Sequence, residues 1–280
     1  MNINWYPGHM AKTKKQIIED LKLIDVVIEI LDARIPISSR NPDIEALTKD
    51  KKKILILNKA DLADSKENEK WKEYFKNNKT IAILADSNSG TGINEVQKQI
   101  EKLMQEELEK QAAKGRIGKN IRVMILGIPN VGKSSFINRM AKKTSAIEGN
   151  KPGVTRQKQW IRIGNNIELL DTPGVLWPKF ENEKVALNLA FTGTIKQDVI
   201  DEVEVAYYLL KYLMEYEKEK LYTRYNIDED DDILNIMHQI GRKRGAIVSG
   251  GKVDEIKTAK IILDDFQSGK LGKITLERVK

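Results

Sequence analysis

The sequence predicts an α/β fold, a largely parallel β-sheet covered by helices, followed by a small all-α C-terminal domain. Two stretches support the sheet, residues 10–110 and 121–170, because short apolar segments typical of buried strands alternate there with helical periodicity. After about residue 182 the strand pattern stops and helical segments follow one another. We therefore expect one domain over residues 1–180 and a second, helical domain over residues 181–280.

The composition indicates a soluble protein with a substantial core. Apolar residues make up 40% of the chain and charged residues 32%. No apolar run approaches the ~20 residues that a membrane helix needs, and residues 1–10 lack the layout of a secretion signal. The absence of cysteine excludes disulfides and thiolate metal sites. We therefore expect a cytoplasmic protein that makes no membrane contact.

Residues 127–134, G-I-P-N-V-G-K-S, match the pattern G-x-x-x-x-G-K-[S/T] between a predicted strand and a predicted helix. In such a loop, backbone N–H groups close around phosphates, and the helix N-terminus favours their negative charge. Lys133 would reach the β- and γ-phosphates, and Ser134 would bind Mg²⁺. A chance match has odds of roughly one in a hundred in a chain of ordinary composition. The predicted phosphate-binding residues are Asn130, Val131, Gly132, Lys133, Ser134 and Ser135.

A second motif, D-T-P-G at residues 171–174, follows another apolar strand. By itself such a tetrapeptide is common, but after a phosphate-binding loop it has a specific meaning. Asp171 would help to hold Mg²⁺, and Gly174 would sense the γ-phosphate. Between the two motifs, Thr155 would offer its hydroxyl to Mg²⁺ and its backbone N–H to the γ-phosphate. A plain loop threonine is the alternative.

The base would be selected by N-K-A-D at residues 58–61, which ends an apolar strand. In this motif Asp61 pairs with the guanine N1 and N2 donors, Asn58 braces the loop, and the stem of Lys59 covers the base. A rival tetrapeptide, I-K-Q-D at residues 195–198, lacks the asparagine and lies in a helical segment. The next strand ends in a loose match to the loop that contacts the guanine O6 atom, at Ala85, Asp86 and Ser87.

The order of these motifs along the chain is unusual. The base-selecting motif comes first, followed by the phosphate loop, Thr155 and Asp171. The three-dimensional site can stay the same, because the place of a strand in a sheet does not depend on its place in the chain. The sequence therefore predicts a P-loop GTPase fold with circularly permuted topology, with GTP or GDP and Mg²⁺ as its cofactors.

With these motifs, the whole chain resembles the circularly permuted family of ribosome biogenesis GTPase A, bacterial assembly factors of the large ribosomal subunit. The segments that carry the resemblance are W-Y-P-G-H-M at 5–10, D-A-R-I-P at 32–36, N-K-A-D at 58–61, the loop at 127–134, D-T-P-G-V-L-W-P-K at 171–179 and G-R-K-R-G at 241–245. The resemblance implies GTP hydrolysis stimulated by the large-subunit precursor and its rRNA. Ribosomal proteins are further candidate partners, and we expect a monomer when the protein is free.

Catalysis poses a specific question, because Val175 stands where many GTPases carry a glutamine that orients the attacking water. The resemblance implies that His9 positions this water, and that Asn130 helps to hold a K⁺ near the phosphates. A structural anchor at the N-terminus is the alternative role for His9. The predicted catalytic residues are His9, Lys133, Thr155 and Gly174.

The helical domain carries the candidate RNA surface. The formal net charge of the chain is +7, and basic residues outnumber acidic ones within residues 241–280. Such a stretch favours a polyanionic partner, although a plain solvated face is the common alternative. The buried face of the last helix is predicted to hold Ile256, Ala259, Leu263 and Phe266. The candidate RNA contacts are Arg242, Lys243, Arg244, Lys257 and Lys260.

A different class of function also fits a basic chain with a nucleotide motif, namely a non-enzymatic, nucleotide-gated RNA-binding scaffold. Such a scaffold has no need of intact catalytic positions. Lys133, Ser134, Thr155 and Asp171 are all present, which favours the enzyme.

Overall fold

The computed structural model describes residues 9–77, 79–115, 118–144, 160–164, 166–177, 182–195 and 200–279. These residues form two compact units. The sheet unit contains the described residues up to 177 together with residues 277–279. The helical unit contains the described residues from 182 to 276.

The sheet unit contains a six-stranded sheet with the order β3-β2-β1-β4-β6-β5. All neighbouring strands are parallel except β5, which pairs antiparallel with β6. The near-continuous Val, Ile and Leu content of the central strands suits a parallel sheet that is buried on both faces. The strands are β1 (Val26–Asp32), β2 (Lys52–Asn58), β3 (Thr80–Leu84), β4 (Ile121–Leu126), β5 (Trp160–Ile163) and β6 (Ile167–Asp171).

The helices of the sheet unit are those that helical periodicity in the sequence indicates, with one addition. The addition is α2, which Asn41 caps by accepting a hydrogen bond from the Asp43 N–H and which begins with Pro42. Both are strong signals of a helix start, but the helix is only 6 residues long and leaves little periodicity to read. The helices are α1 (His9–Leu21), α2 (Pro42–Leu47), α3 (Ser65–Phe75), α4 (Ile93–Ala112) and α5 (Lys133–Thr144).

At the centre of the sheet, strands from two sequence stretches lie side by side, the upstream block at residues 10–110 and the downstream block at residues 121–170. Strand β1, from the upstream block, lies beside β4, from the downstream block, and further strands extend outward on both sides. In open α/β sheets, ligands bind at the carboxyl ends of the strands where the strand order reverses. The P-loop fold with circularly permuted topology is confirmed, and it places the phosphate loop after β4 at this reversal point.

The last described residues of the chain pack in the sheet unit, although the sequence placed all of 181–280 in the helical domain. The carboxylate of Glu277 accepts hydrogen bonds from the Ile37 N–H at 2.7 Å and the Ser38 N–H at 3.0 Å. The indole N–H of Trp71 donates to the Glu277 carbonyl at 3.0 Å, and Val279 packs on the apolar cluster around Trp71. This short segment therefore fastens the loop that follows β1.

The helical unit contains five described helices around an apolar interior. Helical periodicity does not reveal α8, because its sequence, K-E-K-L-Y-T-R-Y, is mostly polar. On α10, Ala259, Leu263 and Phe266 are buried as predicted, but Ile256 is 61% exposed, because it lies in the first turn, before the buried residues begin at Thr258. The helices are α6 (Glu183–Phe191), α7 (Glu202–Tyr216), α8 (Lys218–Tyr225), α9 (Ile233–Lys243) and α10 (Glu255–Gln267).

The length and apolar character of the helices bear on the prediction that no segment crosses a membrane. Within the described part of the chain, no helix combines the length and the apolar character that a membrane span requires.

Candidate nucleotide-binding site

The side chain of Asn58 joins three parts of the predicted site. Its amide nitrogen donates to the carbonyl of Val131 in the phosphate loop at 2.7 Å. Its amide oxygen accepts from the Ser87 N–H at 3.1 Å and from the Ser87 hydroxyl at 2.7 Å. Asn58 is 2% exposed, so these bonds are shielded from water and costly to lose. The base-selecting segment, the phosphate loop and the loop at 85–87 are thus tied together.

The phosphate loop has the backbone shape that its glycines permit. Gly132 has φ of +95°, and a Cβ at this position would lie 2.3 Å from the Asn58 amide nitrogen. Gly127 packs against β1, where a Cβ would lie 2.7 Å from the carbonyl oxygen of Ile30. Asn130, exposed at the outer turn of the loop, has φ of +61°, a conformation that asparagine tolerates better than most residues. Glycine is therefore required at positions 127 and 132, where the loop lies closest to its neighbours.

Lys133 is buried at the start of α5, and its ammonium group donates to the carbonyl of Ile128 at 2.8 Å. Burial lowers the pKa of Lys133 to about 8, while the carboxylate of Asp171 acts in the opposite direction. A Cβ on Gly174 would lie 2.9 Å from the Lys133 nitrogen, so the D-T-P-G segment lies directly beside this ammonium. Ser134 and Ser135 are exposed in the first turn of α5. Lys133, Asp171 and Gly174 therefore lie close together.

The segment after Asp171 is held from both sides. The Thr172 hydroxyl donates to the carbonyl of Ile125 in β4 at 2.5 Å. The Val175 carbonyl accepts from the Asn41 side-chain N–H at 2.9 Å. Val175 itself is buried in the apolar cluster that includes Ile17 of α1. Its side chain therefore belongs to the core, which agrees with the expectation that it holds no water.

The base-selecting side of the site contains a charged contact that the sequence reasoning missed. Lys59 has φ of +59°, and its ammonium lies 2.9 Å from the buried carboxylate of Asp32 at the end of β1. Asp61 is exposed, as a group that meets a ligand should be. Asp86 uses its carboxylate within its own turn, accepting from the backbone N–H groups of Asn88 and Ser89, so Ser87 is the better positioned member of that loop. Ala85 is buried behind it.

Two predicted catalytic side chains and most of the rival tetrapeptide lie outside the residues that the structure describes. Thr155 lies outside the described residues. His9 is the first residue of α1, and its side chain lies outside the described part of the chain. Of I-K-Q-D, only Ile195 is described; it is buried, and the other three residues are outside the described ranges.

We predict that Gly132→Ala lowers the affinity for GDP about tenfold or more, because the new Cβ must displace the Asn58 amide and a lost buried hydrogen bond costs ~1–3 kcal/mol. The measurement is a titration with a fluorescent GDP analogue. Gly118→Ala is the matched control, since Gly118 has φ of +85° and no atom within 4 Å of the added Cβ. Equal affinities of the two variants would contradict the prediction and show that the Asn58 contact does not require glycine at position 132.

Known proteins resemble this chain over nearly its whole length. A family model described as a 50S ribosome-binding GTPase matches residues 122–247. The ribosome biogenesis GTPase A of Bacillus cereus is 46% identical over 278 residues, covering 99% of this chain and 94% of that protein. The protein of the same name from Thermotoga maritima is 29% identical over 277 residues, again covering 99% and 94%.

Solved structures agree with the sequence relatives. A crystal structure of GNP-bound YlqF from T. maritima has a TM-score of 0.66 and 26% identity, covering 95% of this chain and 98% of that one. A GDP-bound structure of the same protein gives the same TM-score and identity. With its phosphate loop, its D-T-P-G segment and these relatives, the chain belongs to the ribosome biogenesis GTPase A family and is a GTP-hydrolysing enzyme.

Proposed function

We propose that this GTPase acts in the cytoplasm as an assembly factor of the large ribosomal subunit, binding the precursor particle through rRNA and hydrolysing GTP there. The observation that carries the proposal is the Asn58 side chain, which ties the base-selecting segment to an intact phosphate loop at 2.7 Å. The names of its relatives, which refer to ribosome biogenesis and to 50S binding, support the cellular role. The alternative of a scaffold without enzymatic activity does not hold, because the chain belongs to a family of GTP-hydrolysing enzymes.

Mg²⁺ fits the groups that face the phosphates. The Ser134 hydroxyl is exposed at the first turn of α5, and Asp171 ends β6 close enough to Lys133 for its carboxylate to oppose part of the lowering of the Lys133 pKa by burial. These are oxygen donors, which a hard cation prefers, and we propose Thr155 as the third. The ion would supply charge at the β- and γ-phosphates. We propose that Asn130 helps to hold a K⁺ near the phosphates.

Hydrolysis by the free protein should be slow, because the buried Val175 leaves the attacking water without an orienting side chain. We propose that the precursor particle orders the N-terminal segment and that His9 then orients the water or accepts its proton. Helix α1, which begins at His9, is anchored by Ile17 and Leu21 in the same apolar cluster as Val175. An anchor at this point supports an N-terminal segment that acts close to the D-T-P-G motif.

We predict that His9→Ala binds GTP and the particle normally but loses most of the particle-stimulated hydrolysis. A GTPase without its activator turns over near ~10⁻⁴ s⁻¹, and a supplied group raises this rate by ~10³–10⁵. Single-turnover hydrolysis on large-subunit precursors, in K⁺ and in Na⁺, measures the effect, with slower turnover expected in Na⁺. His238→Ala is the matched control, because His238 is the other histidine of the chain and pairs with Glu255 on the helical unit. Full stimulated activity of His9→Ala would make His9 a structural residue.

The candidate RNA contacts are all exposed, but they are not equally available. Arg244 donates to the Arg224 carbonyl at 3.0 Å and stacks on the Tyr225 ring, and Lys260 lies 3.7 Å from Glu202. Among the described residues, none forms an ion pair with Arg242, Lys243 or Lys257. Cations without a protein partner can neutralise phosphates and release counterions. We therefore propose Arg242, Lys243 and Lys257 as the main contacts, with Arg244 and Lys260 as supporting ones.

We predict that the double variant Arg242→Glu/Lys243→Glu binds large-subunit rRNA more weakly and with a shallower salt dependence. Each lost phosphate contact should reduce the slope of log affinity against log salt by ~0.7–0.9. Binding is measured at several salt concentrations. The control is Lys184→Glu/Lys211→Glu, which changes the net charge equally at two other exposed positions of the helical unit. An unchanged affinity and slope in the first variant would move the RNA contacts to another face.

A further inference from the structure

The D-A-R-I-P segment at residues 32–36 contains a buried ion pair that neither phosphate binding nor Mg²⁺ binding requires. Asp32 and Arg34 are each 1% exposed, and Arg34 is among the largest fully buried side chains of the described residues. The Arg34 guanidinium donates to both carboxylate oxygens of Asp32, at 3.0 Å and 2.8 Å. The Arg34 backbone N–H adds a third bond at 3.1 Å, and the Asp32 N–H donates to the Ser39 hydroxyl at 3.0 Å. The carboxylate is thus rigidly held.

A buried ion pair of this kind is weak evidence for stability, because removing two charges from water costs several kcal/mol per ion, ~20 kcal/mol in the idealised limit. The presence of a buried ion pair is better explained by a role in fixing the position of a neighbouring side chain. Burial alone would raise the pKa of Asp32, but Arg34 and Lys59 outweigh it and hold that pKa well below its usual range. Asp32 therefore stays ionised at any physiological pH and remains a permanent partner for a second cation.

The second cation is Lys59, whose ammonium lies 2.9 Å from the Asp32 carboxylate oxygen that also accepts from Arg34. Lys59 starts from a left-handed backbone conformation, with φ of +59°, so its side chain leaves the loop in an unusual direction. With both ends fixed, by the backbone and by Asp32, the four methylene groups between them have little freedom left. A flexible lysine loses up to ~2 kcal/mol of rotamer entropy when it is ordered. Here that ordering precedes ligand binding.

We propose that Asp32, itself held by Arg34, is a positioning residue for guanine recognition that fixes the stem of Lys59 as a preformed surface for the base. This inference rests on the proposed base-selecting role of the N-K-A-D segment. It gives the D-A-R-I-P segment a function in nucleotide affinity. Because Asp32 acts only through Lys59, its effect must disappear when Lys59 can no longer pair with it.

The test is a double-mutant cycle in the full-length protein with Asp32→Asn, Lys59→Met and the combination, using GDP and inorganic pyrophosphate as separate probes. In the wild-type background, Asp32→Asn should lower GDP affinity about tenfold and leave pyrophosphate affinity unchanged, since only the base contact is affected. In the Lys59→Met background it should change GDP affinity less than about twofold. Asp25→Asn is the matched control, because it removes a 2.8 Å contact with Lys119 just before the opposite end of β1.

If Asp32→Asn does not fold because Arg34 loses its carboxylate partner, Asp32→Asn/Arg34→Gln replaces both charges with neutral hydrogen-bonding groups and carries the same expectations. An equal loss of GDP affinity in both backgrounds, or an equal loss for pyrophosphate, would overturn the proposal and leave Asp32 a scaffold residue. Failure of the guanine-binding role itself looks different. In that case Lys59→Met alone would leave GDP affinity at the wild-type level, whereas the positioning proposal requires that it fall.

Discussion

The amide of Asn58 is the interaction on which the organisation of the nucleotide site depends. The segment at residues 58–61 comes from the upstream block of the chain, and the phosphate loop comes from the downstream block. These two segments lie at the carboxyl ends of different strands, and sheet pairing alone does not fix the distance between them. The 2.7 Å hydrogen bond from the Asn58 amide nitrogen to the Val131 carbonyl holds the two segments together. The Asn58 amide oxygen accepts a second hydrogen bond from Ser87. The contact with Val131 explains why residue 132 is glycine, because a side chain there would displace the Asn58 amide.

Around this brace, the cationic groups of the site are positioned before any nucleotide arrives. Lys133 is buried and bonded to the Ile128 carbonyl, and Lys59 is held by Asp32. A polyanionic ligand therefore meets charges whose ordering entropy has already been lost, which favours affinity. The D-T-P-G segment is held in the same way by Thr172 and Asn41. Val175 is buried in the core and cannot orient the attacking water, which is why an external activator is part of the proposed function.

Much of this could be predicted from the sequence because the chemistry is local. The phosphate loop, D-T-P-G and N-K-A-D are contiguous motifs at strand ends, and their order revealed the permutation. Contacts between distant segments could not be predicted: Asp32 with Lys59, Asn41 with Val175, and Glu277 with the loop after β1 all join residues that no local pattern relates. An acidic residue at the end of β1, which is apolar apart from Glu29, was the one available signal. Ile256 was wrongly predicted as buried because periodicity does not show where the packed part of a helix begins.

The central claim is that the upstream N-K-A-D segment and the downstream phosphate loop form one guanine-nucleotide site. Asp61→Asn tests it most directly, because an amide can accept from only one of the guanine N1 and N2 donors and places its own N–H group against the other. The same N–H group suits xanthine, which presents an oxygen at position 2. Affinities for GTP and xanthosine triphosphate should be measured side by side for both proteins. We expect the variant to lose GTP binding, at a cost of ~1–3 kcal/mol or more, and to gain xanthosine triphosphate binding. Equal GTP affinity for wild type and variant would contradict the account.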